Sequence, residues 1–341
     1  MTTSRARRIA VDAMGGDHAP GPVVDGALAA ARYSGVAVTL VGRHDVVAGE
    51  LARHADAATL DVEVVDAPEV VAMDEKAVLV LRGKPRASIR VATELVRSGA
   101  AAAVVSAGHT GASVVAAHTT FGMLKGVDRP ALAPAIPTRH GMAVLVDAGA
   151  TVECRPAHLL QFGVMGAVYA RTLLGVASPR VGLLSIGEEE GKGNELTREA
   201  YRLLKAAPLS FIGNVEARDV FAGRADVIVC DGFTGNVVLK LSEGLVEMVE
   251  EQLGEELSST FSSQVGYLLS RRAFRRFRKR VDYSEYGGAP LLGAAGLVLV
   301  CHGRSSAKAI RNAVVSASRF VADDVLAQVE QGVASAMVTP R

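Results

Sequence analysis

A chain of 341 residues, 49% of them hydrophobic, carries enough apolar side chains to bury a sizeable core, which excludes disorder as its ground state. Charge is balanced, 37 Lys and Arg against 36 Asp and Glu, so no net field draws the chain to nucleic acid or a membrane, and an electrostatic partner has to be met locally. Three widely spaced cysteines, Cys154, Cys230 and Cys301, fit neither a disulfide framework nor a zinc site; they suit a reducing compartment and read as small buried hydrophobes.

The first eight residues hold three arginines and no long apolar run, so no signal peptide is expected. Strands are predicted at 8–12, 36–41, 61–65, 101–106, 142–147, 180–185, 209–212, 226–230 and 297–300. Helices are predicted between them at 23–33, 88–97, 111–124, 156–174, 195–206, 236–257 and 305–331. Several strands are apolar throughout, as strands covered on both faces are. The fold class is therefore α/β, a three-layer α/β/α arrangement with a mainly parallel sheet, in a single unit over 1–341. The rhythm breaks at 245–285, where Phe261, Val265, Leu268, Leu269, Phe274 and Phe277 follow one another without a strand, a helical excursion from the core. Its end, 271–280, is cationic at seven of ten positions, among them Arg271, Arg272, Arg275, Arg276, Arg278 and Lys279. The apolar run 289–300 is broken by Pro290, Gly293 and Gly296 and is shorter than the roughly 20 residues a membrane-spanning helix needs.

In parallel α/β proteins ligands gather at the carboxyl ends of strands, where helix N-termini offer unpaired N–H groups and a positive dipole end. Four such loops are polar and glycine-rich: 12–20, 106–111, 187–194 and 230–236. None has the spacing of a Walker A loop or of G-x-G-x-x-G after the first strand, so nucleoside triphosphates and dinucleotides are not expected ligands. No metal-ligand motif appears, and neither a metal nor a cofactor is expected.

The order Asp12-Ala13-Met14-Gly15-Gly16-Asp17-His18 resembles the N-terminal signature of the PlsX-type phosphate acyltransferases, the acyl-acyl-carrier-protein:phosphate acyltransferases of bacterial phospholipid synthesis. The resemblance continues through Leu81-Arg82, Ala87-Ser88-Ile89-Arg90, 106–111, Asp128-Arg129-Pro130-Ala131, Leu159-Leu160-Gln161-Phe162, 186–196, 230–236 and 286–293, covering nearly the whole chain in order. His109 and Thr151 depart from it, each standing where the family more often has Asn. The resemblance implies attack by inorganic phosphate on the thioester of an acylated carrier protein. It also implies a fold like those of phosphotransacetylases and isocitrate-dehydrogenase-like proteins, a homodimer, and a cytoplasmic location open to peripheral contact with the inner face of the membrane and with a downstream membrane acyltransferase.

The reaction needs a site that gathers the anion, orients it and stabilises an oxyanion. N–H groups and hydroxyls at helix starts are the candidates for phosphate: Ser106, Gly108, Thr110 and Gly111, with Thr234, Gly235 and Asn236. Lys192, in a glycine-flanked loop, is read as neutralising phosphate or the oxyanion. Asp231 either orients the nucleophile or caps the next helix. His18 either donates a proton to the leaving sulfur, bonds phosphate, or braces its loop. Arg82, Lys84 and Arg90 stay open between ligand binding and a solvated face, Glu188, Glu189 and Glu190 read as loop-bracing charges, and Tyr286 and His302 as cleft lining. An acyl-cysteine at Cys230 lacks a His at readable distance. The basic segment admits three readings: a solvated face, a docking surface for an acidic carrier, or an amphipathic element on anionic lipid. A CoA-dependent phosphotransacylase, a dehydrogenase of related fold and a membrane-surface scaffold for lipid-synthesis enzymes remain the rival functions, and nucleic-acid binding is disfavoured because the basic block stands alone.

Overall fold

A computed structural model describes residues 7–76, 82–281 and 287–337, apart from the side chains of 278–281 and 337. Leu81 and Tyr286, and the side chains of Arg278 and Lys279, lie outside what is described. The expected sheet is present as two. Strands β1 (Ile9–Asp12), β2 (Val38–Gly42), β3 (Val62–Asp66), β4 (Ala103–Ser106), β5 (Ala131–Leu132), β11 (Ala289–Leu292) and β12 (Leu297–Val300) form the first, in the order β3-β2-β1-β4-β12-β11-β5. Strands β6 (Ala135–Thr138), β7 (Gly141–Val146), β8 (Arg180–Leu184), β9 (Ser210–Val215) and β10 (Val227–Val229) form the second, in the order β6-β7-β10-β8-β9. Each sheet is parallel except at one edge, where β11, β5 and β6 run antiparallel to their neighbours.

All nine predicted strands are present. The three that were not predicted are the antiparallel edge strands, which have two to four residues and leave little periodicity to read. The run 289–300 does not continue as one element. It reverses at Gly293, whose φ of 89° lies in the left-handed region that glycine enters without strain, and pairs β11 with β12.

Alternate residues of the central strands enter opposite layers. Ile9, Val11, Val105, Val144 and Val227 pack into one apolar cluster with helices α1 (Gly21–Ser34), α5 (Pro156–Leu174), α9 (Ala307–Ala322) and α10 (Val325–Met337). Ala10, Val104, Leu145 and Ile228 pack into a second with α3 (Ser88–Arg97) and α4 (Thr110–Phe121). This is the three-layer core the apolar strands predicted. The remaining helices are α2 (His44–Leu51), α6 (Glu195–Ala206), α7 (Gly232–Ser259) and α8 (Phe261–Val281). The single helix expected over 305–331 divides at Asp323-Asp324, where Asp324 takes a φ of 51° that an α-helix cannot continue through.

The excursion is a helical hairpin of α7 and α8, in which Tyr267 and Phe274 rings meet at 5.4 Å. In α7 only Gly232, Gly235 and Glu243 are buried, whereas Leu241, Leu245, Met248, Val249 and Leu253 are exposed along its length. Among the described residues no helix is long and apolar enough to cross a membrane.

Candidate functional site

The carboxyl ends of β1 and β4 are tied together by a buried carboxylate. Asp12 Oδ2 accepts from the Ser106 hydroxyl at 2.7 Å, and Ser106 Oγ accepts in turn from the Gly108 N–H at 3.1 Å. Burial raises the Asp12 carboxyl above its ordinary range, against the lowering effect of hydrogen bonds from Ser88 and Ser106. The two loops touch so closely that a Cβ on Gly15 would lie 2.7 Å from both Asp12 Oδ2 and the Gly108 nitrogen, so only glycine fits there.

Across from them, Asp147 follows β7 and gathers the backbone around it. Its carboxylate accepts from the N–H groups of Leu132 at 2.8 Å, Gly149 at 3.1 Å, Ala150 at 2.9 Å and Thr151 at 2.6 Å. Burial nevertheless outweighs these bonds and pushes its pKa up to about 6. The first turn of α7 presses against this loop: a Cβ on Gly235 would overlap the Asp147 carbonyl oxygen.

That contact decides how α7 begins. The helix starts at Gly232, four residues before the predicted start, because Asp231 caps it, accepting from the Thr234 N–H at 2.9 Å and the Thr234 hydroxyl at 2.7 Å. The Gly235 N–H donates to the Asp231 carbonyl and the Gly232 N–H to the Thr151 carbonyl, both at 2.9 Å. Of the expected phosphate residues, the Thr234 and Gly235 N–H groups are engaged within the fold, and Ser106 and Gly108 bond to Asp12 and to each other.

The N-terminus of α4 is capped in the same way, but its first two residues border open space. His109 Nδ1 accepts from the Ala112 N–H at 3.2 Å, the capping role that Asn fills at the start of other helices, and the Ser113 N–H donates to the His109 carbonyl. Thr110 and Gly111 carry first-turn N–H groups that helix geometry leaves without an intrahelical acceptor. Both line a cavity of about 280 Å³ between the two sheets' carboxyl ends, together with Gly149, Asn236, Lys240, Glu243 and His302. Of the seven expected phosphate ligands the structure thus brings Thr110, Gly111 and Asn236 to one cavity.

Lys240, Glu243 and His302 were not singled out for chemistry. Glu243 is buried, pairs with Lys240 Nζ at 2.8 Å and lies 3.5 Å from His302 Nε2. Its pKa is lowered: hydrogen bonds from His302 and Lys240 overcome the opposing and larger single effect of burial. His302 Nδ1 accepts from the Arg304 N–H at 3.1 Å, which assigns the proton to Nε2 on the Glu243 side. The signal for the first two was present: 236, 240 and 243 recur at i, i+4 and i+7 on one helix face, and His302 follows the carboxyl end of β12.

The other candidates lie away from the cavity. Lys192 is exposed on the turn after β8, and His18 is exposed on the turn after β1, whose Asp17 N–H donates to the Gly303 carbonyl at 2.8 Å. Neither lines the cavity. Glu188 pairs with Arg224 and Glu190 with Lys205, as bracing charges would, and Lys84 is held by Glu75 and the Val70 carbonyl. Burial raises all three thiols, Cys154 and Cys301 to about 12 and Cys230 well above its ordinary value, so none is a ready nucleophile at neutral pH. Among the described residues no cluster of His, Cys, Asp or Glu has the makings of a metal site.

The fold is shared with solved structures of low sequence identity. A phosphotransacetylase from Streptococcus pyogenes superposes with a TM-score of 0.60 at 18% identity, over 93% of this chain and 96% of that one. A 4-hydroxythreonine-4-phosphate dehydrogenase from Klebsiella pneumoniae does so with a TM-score of 0.54 at 15% identity, over 92% and 99%. Sequence comparison is more specific. Residues 7–328 match the fatty acid synthesis protein family. The phosphate acyltransferase of Geobacter sp. (strain M21) is 56% identical over 92% of this chain and 89% of its own length, and that of Nitratidesulfovibrio vulgaris (strain DP4) is 56% identical over 92% and 91%. The chain belongs to this family of phosphate acyltransferases, and it is an acyltransferase of that type.

Proposed function

We propose that this chain transfers a fatty acyl group from the thioester of an acyl carrier protein to inorganic phosphate, at the cavity between α4 and α7. The observation that carries the reading is the convergence of an open helix N-terminus, at Thr110 and Gly111, with the Asn236 amide and the Lys240 ammonium on one cavity. Helix dipole and N–H groups favour an anion there, with the Lys240 ammonium offsetting the Glu243 carboxylate in the same cavity. Phosphate brings its own nucleophilic oxygen: the P–O oxygen bonds to the thioester carbon, the C–S bond breaks, and the thiol leaves with a proton. The pairing of Glu243 with Lys240 and His302 keeps its carboxylate from repelling the nucleophile.

Lys192 is assigned to offsetting charge on the incoming phosphate or the oxyanion, from the turn one strand away from β10. His18, beside the Gly303 turn that follows His302, is assigned to proton delivery to sulfur. Asp231 is assigned to capping. The segment 245–285, whose described part is the hairpin of α7 and α8, is the contact region. The apolar positions of α7 at 241, 245, 248 and 249 make a stripe suited to a second copy of the chain, and Arg271, Arg272, Arg275 and Arg276, continuing into Arg278 and Lys279, suit an acidic carrier or an anionic lipid surface. Location in the cytoplasm with peripheral membrane contact follows from the same reading.

Incubating the protein with palmitoyl-carrier protein and labelled phosphate, and trapping acyl phosphate with hydroxylamine, tests the reaction. Hydroxamate that forms with the carrier thioester and falls with Lys192→Ala supports it. Product only from acyl-CoA would move the assignment to a CoA-dependent phosphotransacylase.

A further inference from the structure

We infer that the fatty acyl chain lies in an apolar groove that opens from the polar cavity along α7, and that this groove sets the selection for long chains. The inference rests on the proposed acyl transfer and deepens it by placing the chain of the same substrate. The groove has a volume of about 530 Å³, within the range of pockets that enclose small ligands. Ile136 and Leu145 from β6 and β7, Val238 and Val246 from α7, and Phe221 from the loop after β9 form its walls, and Phe277 of α8 stands at its hairpin end.

Continuity with the site identifies the occupant. Leu239 and Glu243 line both the groove and the polar cavity, so only one turn of α7 lies between the two spaces. The Glu243 carboxylate is engaged with Lys240 and His302, two residues of the polar cavity and not of the groove, so the junction presents an ion pair to one side and aliphatic side chains to the other. A thioester carbonyl held near Asn236 would send its alkyl tail past Leu239 into a space whose walls gain by excluding water. A ligand with an anionic or polar head and a long unbranched tail fits both halves; an inorganic anion fills only the first.

Each methylene that enters such a groove should strengthen binding about fourfold. Calorimetric titration of the full-length protein with butyl-, octyl- and dodecylphosphonate reads this without turnover, so it stands apart from the acyl-transfer assay. Affinity should rise from butyl to octyl and again to dodecyl. Val246→Phe, which narrows the groove, should leave butylphosphonate within about twofold and weaken dodecylphosphonate at least about tenfold. If Val246→Phe does not fold, Phe221→Ala at the opposite wall is read instead and should weaken dodecyl binding selectively. Affinities independent of chain length, variants that weaken all three phosphonates equally, or a Val246→Phe effect confined to self-association in sedimentation would each overturn the inference. Length-dependent binding without any acyl phosphate formation would leave the groove standing and remove the transfer reading.

Discussion

Two helices begin at glycine-rich loops facing the same cavity, and they begin differently. At α4 the cap is a histidine ring, the loop residues Thr110 and Gly111 border the cavity, and first-turn N–H groups remain for a ligand. At α7 the Asp231 side chain and carbonyl take the Thr234 and Gly235 N–H groups just as His109 takes those of Ala112 and Ser113, but here the Gly232 N–H also donates to the Thr151 carbonyl and Gly235 is pressed against Asp147. Glycine at a strand-to-helix turn therefore serves two purposes here, ligand approach at one helix and close packing at the other. The Gly232 bond to the Thr151 carbonyl and the contact of Gly235 with the Asp147 carbonyl separate them.

The largest effect should come from breaking the closed end. Gly235→Ala would place a methyl on the Asp147 carbonyl, and loss of about 3 kcal/mol or more is expected in denaturant unfolding. Near-native stability would mean that the α7 turn is not as confined as its geometry indicates.

Asp147 sharpens the same end through pH. Its folded pKa of about 6 lies above the ordinary 3.8, so its contribution is fully present below about pH 4 and is lost as pH rises through about 6. The stability difference between wild type and Asp147→Asn should fall by roughly 3 kcal/mol from about pH 4 to about pH 7, since each tenfold change in proton affinity on folding is worth about 1.4 kcal/mol. A difference that rises over this window would show that the four N–H donors outweigh burial.

Asp231→Ala removes the cap and should lower stability by about 1 kcal/mol while phosphate KM stays within about twofold. A KM raised about tenfold, with the helix intact by circular dichroism, would return Asp231 to the nucleophile. The smallest effect is expected at Cys230, buried and donating to the Asp147 carbonyl at 3.4 Å. Cys230→Ala should retain acyl transfer, and a variant that folds but is inactive would revive the acyl-cysteine route.

Much of the fold was legible because apolar runs of four or more residues alternate with long helical segments, and helices such as Pro156–Leu174 and Glu195–Ala206 lie where periodicity places them. The edge strands β5, β6 and β11 and the short α2 were not read, since a few residues carry no clear period. Of the phosphate candidates drawn from loop chemistry, Thr110, Gly111 and Asn236 line the cavity. Gly235 shows that a glycine at such a turn marks close packing, here against Asp147, as readily as ligand approach. Lys240 and Glu243 sit about two and three turns into a helix that starts at Gly232, not at Asn236 as the sequence suggests, and His302 has no legible chemical partner because Glu243 is 59 residues away in sequence and 3.5 Å away in space.

The contrast between the two helix starts is tested most directly by equilibrium titration of inorganic phosphate onto wild type, Thr110→Val and Asn236→Ala, with Arg276→Glu on the hairpin as the reference. Binding should weaken about tenfold or more in the first two variants, the loss of one hydrogen bond to a charged ligand, and remain unchanged in the third. Full phosphate affinity in both cavity variants would contradict the placement of the anion between α4 and α7.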